Sequence, residues 1–257
     1  MAAGSGLILP RLPDNPHLRG LLAEFGSIAV PAAALPPHAA MVFLCYTNRS
    51  GSSFLAELLH ATGRLNLADE MLSADEVAAD RRRHGHASFA DFLAAHMRWR
   101  MVEGRFAVKL ATLHLDVLGR AGVLDHCRAT ARYVFIARRD LLAQAVSAEI
   151  ATQTGQWNSR MTVEVAPERL CFSRPRIAGW MAGFAEDNRI FRAFFRRNGI
   201  LPTEVIYEDL VADPARQVRA VGAALGLPGL RADPAGITLA RQAGALNARW
   251  REMFLRG

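Results

Sequence analysis

The sequence predicts an α/β domain built on a mostly parallel central sheet with helices on both faces. Three observations carry that expectation. Short apolar runs at 41–46, 106–110, 132–138 ("RYVFIAR") and 203–207 ("TEVIY") are separated by long stretches of helical periodicity, the alternation a parallel sheet requires. The first run ends in a tight loop, "YTNRSGSSF" at 46–54, which leads straight into apolar positions at helical spacing. A chain of 257 residues, 51% hydrophobic and 21% charged, is also long enough to bury one full core of this kind.

The elements follow in order from their own signals. Residues 1–40 are rich in Pro, Ala and Gly and read as an N-terminal extension with a short helix at 16–25; the core domain is expected to run from 41 to 257. After the first loop, Phe54, Leu55, Leu58 and Leu59 share a helix face, and Gly63 offers a stop. Ser73 and Glu76 have capping-box spacing, and "SFAD" opens a helix carrying Phe89, Phe92, Leu93, His96 and Met97. Ile177, Trp180, Met181, Phe184 and Phe191 form a longer stripe ending near Gly199. Asp213 followed by Pro214 is an N-cap with Pro at the first helical position, and a last amphipathic helix carries Leu239, Leu246, Trp250 and Phe254.

Composition narrows the function classes. No membrane-spanning segment is expected, because the longest apolar candidate, 27–46, is broken by Pro31, Pro36, Pro37 and His38. The N-terminus lacks the basic region of a signal peptide, so a cytoplasmic location is expected. Cys45, Cys127 and Cys171 lack metal-ligand spacing and read as reduced, buried thiols. His84 and His86, beside three arginines in "RRRHGH", read as a solvated loop in preference to a metal site. The net charge of +7 suits nucleic acid, an anionic surface or an anionic cofactor, and it is written with 30 arginines and a single lysine, Lys109. That lysine lies in a strand, where it is either a compact point charge required by a ligand or a side chain snorkelling from the strand end.

The loop at 46–54 is an anion-binding pattern without the GxxxxGK[ST] of a nucleotide kinase or NTPase. Arg49 supplies charge and donors, while the amides and hydroxyls of Ser50, Gly51, Ser52 and Ser53, at a helix N-terminus, can cradle a 5′-phosphate. The third strand also ends in an anion-binding pattern. Arg138 and Arg139 are followed by Asp140 as N-cap, and Ser147 lies eight residues after Arg139, a rise of roughly 12 Å at about 1.5 Å per residue. Either Arg139 and Ser147 hold one phosphate, or the arginines answer local carboxylates and the serine bonds its own helix. Two anion sites on successive strand-to-helix turns suit a nucleotide charged at both 5′ and 3′ positions.

With "CYTNRSGSS", "LADE" about 18 residues later, "RRDLLAQAVS", "QTGQW", "YEDLVADP" and "RQAGALNARW" in that order, residues 41–257 resemble the bacterial carbohydrate sulfotransferases of the trehalose 2-sulfotransferase type. The resemblance implies a three-layer, P-loop-NTPase-like domain that moves a sulfuryl group from 3′-phosphoadenosine 5′-phosphosulfate (PAPS) to a hydroxyl of a sugar, glycolipid or saccharide, leaving adenosine 3′,5′-bisphosphate. By position it implies that Arg49 through Ser53 hold the 5′-phosphosulfate, that Arg139 and Ser147 hold the 3′-phosphate, that Tyr207 contacts adenine, and that Glu70 is the catalytic base. It also implies a homodimer. Asn48 departs from the family, which has Pro before the arginine.

The chemistry expected of these residues is in-line sulfuryl transfer, driven by positioning and charge stabilisation without a metal. Glu70, with Asp69 as fallback, would take the acceptor proton, and a raised pKa in a partly dry pocket would serve it. Arg49 and the loop amides would meet the charge growing on the leaving oxygen. Lys109 is expected behind the loop, near the cofactor's sulfate or phosphate. Trp157 either faces a sugar or base or caps a helix by burial. Acceptor specificity is expected from 71–104, 154–176 and the N-terminal extension. Two other classes stand beside this reading: a P-loop-type nucleotide kinase, opposed by the missing GK[ST], and a non-catalytic basic binder of nucleic acid. The even spread of arginines, with no aromatic-interleaved stripe, opposes the second.

Overall fold

Four parallel strands set the frame: β1 (Ala40–Tyr46), β2 (Arg105–Leu110), β3 (Arg132–Ala137) and β4 (Thr203–Ile206), in the order β2-β1-β3-β4. The structure is a computed structural model and describes residues 6–232, 237 and 244–256. Leu239 and the start of the "RQAGALNARW" segment lie outside the described residues.

Both faces of β1 are buried, which is why its sequence reads as an unbroken apolar run. Successive side chains still alternate between two cores. Met41, Phe43 and Cys45 join one core with Phe89, Phe92 and Leu93 of α4 (Phe89–Arg100), Leu115 and Leu118 of α5 (Thr112–Arg120), and Phe191, Phe194 and Phe195 of α8 (Arg174–Arg197). Val42 and Leu44 join the other with Leu55, Leu58 and Leu59 of α2 (Ser52–His60) and Val218 and Val221 of α10 (Pro214–Ala224). Phe43 is fully buried at the centre, and its truncation to Ala would cost about 3–5 kcal/mol. A third cluster joins Val146 of α7 (Leu141–Thr154), Phe184 of α8 and Trp250 of α11 (Ala245–Leu255).

The chain before β1 packs on this frame. Helix α1 (Pro16–Phe25) starts at Asn15, whose side-chain oxygen accepts from Leu18 N while its amide donates to Leu113 O and Asp116 Oδ2. Leu21, Ile28 and Val30 are buried in the first core. Helix α3 (Ala74–His84) is capped by Ser73, α7 by Asp140 and α10 by Asp213, with Pro214 at the first position, as the residue types require.

Two sequence expectations change. Tyr207 does not end a strand; it opens the short helix α9 (Tyr207–Ala212) immediately after β4. Cys45 and Cys127 are free and buried, but Cys171 is exposed. Among the described residues no helix is long and apolar enough to cross a membrane.

Strand register decides where chemistry can occur. Leu110 pairs with Cys45, Ile136 with Tyr46 and Ile206 with Ala137, so the carboxyl ends of all four strands finish at one edge. Ligands of open α/β sheets bind in the crevice at that edge.

Candidate active site

At the carboxyl edge, the loop after β1 is bent by two left-handed residues. Gly51 has φ +88° and Arg49 has φ +63°. Gly51 has a second reason to be glycine, since a Cβ there would stand 2.3 Å from Cδ2 of Tyr207. Arg49 accepts a conformation that costs a non-glycine residue about 1–2 kcal/mol, and surrounding contacts hold it. Its Nε donates to Ser147 Oγ at 2.9 Å, its Nη1 donates to Trp157 O, and its own carbonyl accepts from Arg138 Nη1 at 3.3 Å. Buried Gln144 of α7 ties the same loop down by donating to Thr47 Oγ1 and Asn48 O. Gly51 is the N-cap of α2 but has no side chain to cap it. The first amides of the helix are therefore left for an external acceptor.

These residues open onto a cavity of about 840 Å³. Among the described residues its wall carries four cations, Arg49, Lys109, Arg138 and Arg251, against one carboxylate, Glu70. Burial, and then the guanidinium of Arg138, lower Arg49 below its ordinary value, while Tyr207 opposes them. Two guanidiniums held together at a half-buried helix N-terminus are relieved by an anion between them. Arg138 also lies over the Tyr207 ring, 4.5 Å from its centroid, and both residues line the cavity.

Glu70 follows α2 on the loop before α3. Lys109 Nζ is 2.5 Å from Glu70 Oε1 and 3.2 Å from Ser53 Oγ, and lies 4.3 Å over the Tyr46 ring. Lys109 is only 4% exposed, so this ammonium does not snorkel to solvent. Glu70 remains 51% accessible on the cavity wall. The expected rise in its pKa is corrected here: burial pushes the carboxyl up, but the Lys109 ammonium and hydrogen bonds from Lys109 and Tyr46 outweigh it and hold the group below the ordinary carboxylate value. The fallback base Asp69 is engaged elsewhere, paired with Arg100 at 2.8 Å.

A second cavity, about 490 Å³, meets the first at Tyr46, Asn48 and Glu70. Trp180 and Phe184 of α8 stack at 5.5 Å on one side of it. Polar groups face them: Asp14 and His17 from the N-terminal segment, Thr112 and His114 from α5, and Asp187 from α8. Thr112 Oγ1 donates to Asp187 Oδ1 at 2.6 Å, and burial raises the Asp187 carboxyl despite that bond. Burial, followed by the neighbouring His17, lowers His114 to about 4. Its Nδ1 accepts from Ala111 N at 3.5 Å, so the neutral ring carries its proton on Nε2, which is buried without a hydrogen-bond partner.

Of the residues singled out in the sequence, the cavity gathers Arg49, Gly51, Ser52, Ser53, Glu70, Lys109, Ser147, Trp157 and Tyr207. Ser50 is fully buried beneath the loop and does not line it. Arg139 is not in the lining either; its guanidinium turns outward to Asp209 at 2.5 Å. Arg138, read from the sequence only as the neighbour of Arg139 at the strand end, and Arg251, not singled out there, both line the wall. Arg138 was legible as half of an Arg-Arg pair, whereas Arg251 follows the last motif by one residue and has no local signal.

A Gly/Ser loop at a helix N-terminus, a cationic crevice at the carboxyl edge of a parallel sheet and helices on both faces together define a P-loop-like α/β fold. The chain belongs to the Stf0 sulphotransferase family, whose model matches residues 77–256; this is the trehalose 2-sulfotransferase family. The matched segment includes Lys109, Arg138, Arg139, Ser147 and Tyr207, and begins after the first loop and Glu70. Among solved structures, the sulfotransferase domain of the Synechococcus PCC 7002 olefin synthase is 17% identical, with TM-score 0.45 over 86% of this chain and 98% of that one. Retinol dehydratase in complex with retinol and PAP is 17% identical, with TM-score 0.44 over 94% and 86%. The same enzyme with androsterone and inactive cofactor PAP gives 16% and 0.43 over 93% and 68%. No curated protein matches the chain significantly. The protein is a sulfotransferase, an enzyme of sulfuryl transfer.

Proposed function

We propose that the protein transfers the sulfuryl group of PAPS to a carbohydrate hydroxyl, with Glu70 as general base. The observation that carries this reading is the junction of two unlike cavities at Glu70: one lined by four cations and a helix N-terminus, the other by an aromatic pair with hydroxyl, imidazole and carboxyl groups and no Lys or Arg among the described residues. The first fits a nucleotide bearing several negative charges; the second fits a polyhydroxylated acceptor without charge, which stacks on an aromatic face and exchanges hydrogen bonds.

In this reading Arg49, Ser52, Ser53 and the first amides of α2 hold the 5′-phosphosulfate, with the backbone of Ser50 shaping the turn. Tyr207 offers its ring to adenine. Ser147 and Arg139 take the 3′-phosphate. Arg139 must first leave Asp209, which costs little because both side chains are about half exposed, at 56% and 46%. When bound, PAPS supplies a sulfuryl group whose sulfur forms a bond to the acceptor oxygen as its bond to the phosphate oxygen breaks. Glu70 receives the hydroxyl proton, and Arg49 with the loop amides hydrogen-bonds the oxygen that departs.

Lys109 links the two cavities. It bridges Glu70 and Ser53, so an anionic sulfonate beside Ser53 competes with the carboxylate for the same ammonium. As Lys109 turns to the sulfonate, Glu70 loses the cation that holds its pKa down and becomes the stronger base. The base is thus weak in the free enzyme and strengthened by donor binding.

The test is transfer of radiolabel from PAPS to a panel of sugars and glycolipids, with phenols and sterols as controls. Label on a sugar, lost in Glu70→Gln while the variant still binds adenosine 3′,5′-bisphosphate, supports the reading. Label confined to phenols or sterols would remove the carbohydrate assignment.

A further inference from the structure

Away from both cavities, at the end of the α3–α4 hairpin, three potential ligands converge and a fourth, His84, stands beside them. Asp80 Oδ2 lies 2.9 Å from His86 Nε2 and 3.0 Å from His96 Nε2, and Asp80 Oδ1 is 3.6 Å from His84 Nε2. The ligand atoms of Asp80, His86 and His96 all lie within 4.8 Å of one another. We propose that Asp80, His84, His86 and His96 form a zinc-binding site that ties α3 to α4.

The spacing is D-x3-H-x-H-x9-H. Asp80 and His84 stand at i and i+4 on α3 and so share a face, Gly85 in the left-handed region turns the chain, and His86 comes back beside them. His96 arrives from the second turn of α4, which the pair in "RRRHGH" alone could not announce. In a tetrahedral zinc site with bonds of about 2.0–2.1 Å, neighbouring ligand atoms stand roughly 3.3 Å apart. The observed Asp80-to-histidine distances of 2.9, 3.0 and 3.6 Å bracket that value, the first two at Oδ2 and the third at Oδ1, so Asp80, His86 and His96 form the core of the site and His84 closes onto it as the fourth ligand.

The surroundings hold the ligands in place. His86 and His96 are each 13% exposed, and His96 packs on Phe92 with ring centroids 4.6 Å apart. His96 Nδ1 is buried without a hydrogen-bond partner, so only the Nε2 side, facing Asp80, orients the ring by polar contact. Arg81 donates from Nε to the His86 carbonyl at 3.2 Å and from Nη1 to Glu24 at 3.0 Å, fixing the turn to the last turn of α1. Three imidazoles and one carboxylate suit zinc. Calcium and magnesium want oxygen ligands, and nearby Arg82 and Arg83 disfavour a cation held by charge alone. Ser73, which caps α3, borders the second cavity, so a metal fixing the hairpin would steady that wall.

Chelator-treated protein is titrated with Zn²⁺ by calorimetry and with Co²⁺ by visible absorption, for the wild type, His86→Ala and His96→Ala, and for the more exposed His84→Asn as the variant least likely to disturb folding. One equivalent of zinc, a rise in Tm on its addition, tetrahedral Co²⁺ bands, and affinity lowered about 10-fold or more in each variant are expected. Absence of saturable binding by the folded wild type, or binding that survives all three substitutions, overturns the site and leaves a hydrogen-bonded Asp–His lock. Neither result bears on the sulfotransferase reading, because none of the four residues lines either cavity.

Discussion

Lys109 Nζ lies 2.5 Å from Glu70 Oε1 and 3.2 Å from Ser53 Oγ, so the only lysine of the chain joins the acid–base group to the anion loop. Removing its charge takes away the largest influence opposing burial and leaves the Tyr46 hydrogen bond and His114 as the weaker ones, so the carboxyl pKa rises. The dependence of kcat/KM on pH reports the free enzyme. Wild type is expected to be flat on its acid side down to about pH 5, and Lys109→Met to slope downward within the range where wild type is flat. An unchanged acid limb in the variant would contradict the coupling.

Glu70→Gln keeps the shape and removes the base. Its kcat is expected to fall about 10²- to 10⁴-fold, the range of general base catalysis, with affinity for adenosine 3′,5′-bisphosphate within a few-fold of wild type. Steady-state kinetics beside a binding titration separates the two effects.

Gly51→Ala places a methyl group against the Tyr207 ring at a backbone angle that alanine resists. A loss of about 1–3 kcal/mol in unfolding free energy is expected by denaturant titration. Loss of donor affinity should accompany it, because the loop can relax only by moving its amides.

Arg139 faces Asp209 in the structure, and its proposed ligand is the 3′-phosphate. Arg139→Ala is expected to weaken adenosine 3′,5′-bisphosphate by about 10-fold or more and to leave AMP binding unchanged, since AMP lacks that phosphate. Equal losses for both nucleotides would remove Arg139 from the 3′ site.

His114 gives stability a pH dependence of known sign. Its folded pKa is about 4, against 6.5 in an ordinary environment. Between those values the unfolded chain binds a proton that the folded chain refuses, so stability is full above about pH 6.5 and is lost as pH falls through about 4. The loss is about 3 kcal/mol at roughly 1.4 kcal/mol per pKa unit. Denaturant midpoints of wild type and His114→Gln across pH 4–7 check it; the variant should show the shallower decline.

Much of the fold was legible because buried parallel strands must be continuous apolar runs, and all four were located within a residue or two. Helix starts were legible where a cap announces them, as at Ser73, Asp140 and Asp213. Helix α5 was not anticipated: its apolar residues Leu115, Val117 and Leu118 are few, and Gly119 interrupts them. In the site, local motifs marked Arg49 through Ser53 and Ser147. They did not mark Arg251 or the second cavity, whose walls come from α1, α5 and α8 and meet only in three dimensions. The pKa of Glu70 was misjudged for the same reason, because Lys109 is 39 residues away in sequence.

The central claim is that the four-cation cavity binds a nucleotide of the PAPS type. Calorimetric titration with adenosine 3′,5′-bisphosphate in EDTA, with ATP and magnesium as the comparison, tests it most directly. The account predicts binding in the micromolar range without metal, lost in Arg49→Ala, and weaker binding of ATP with magnesium. No binding of the bisphosphate, or a preference for ATP with magnesium, would contradict it.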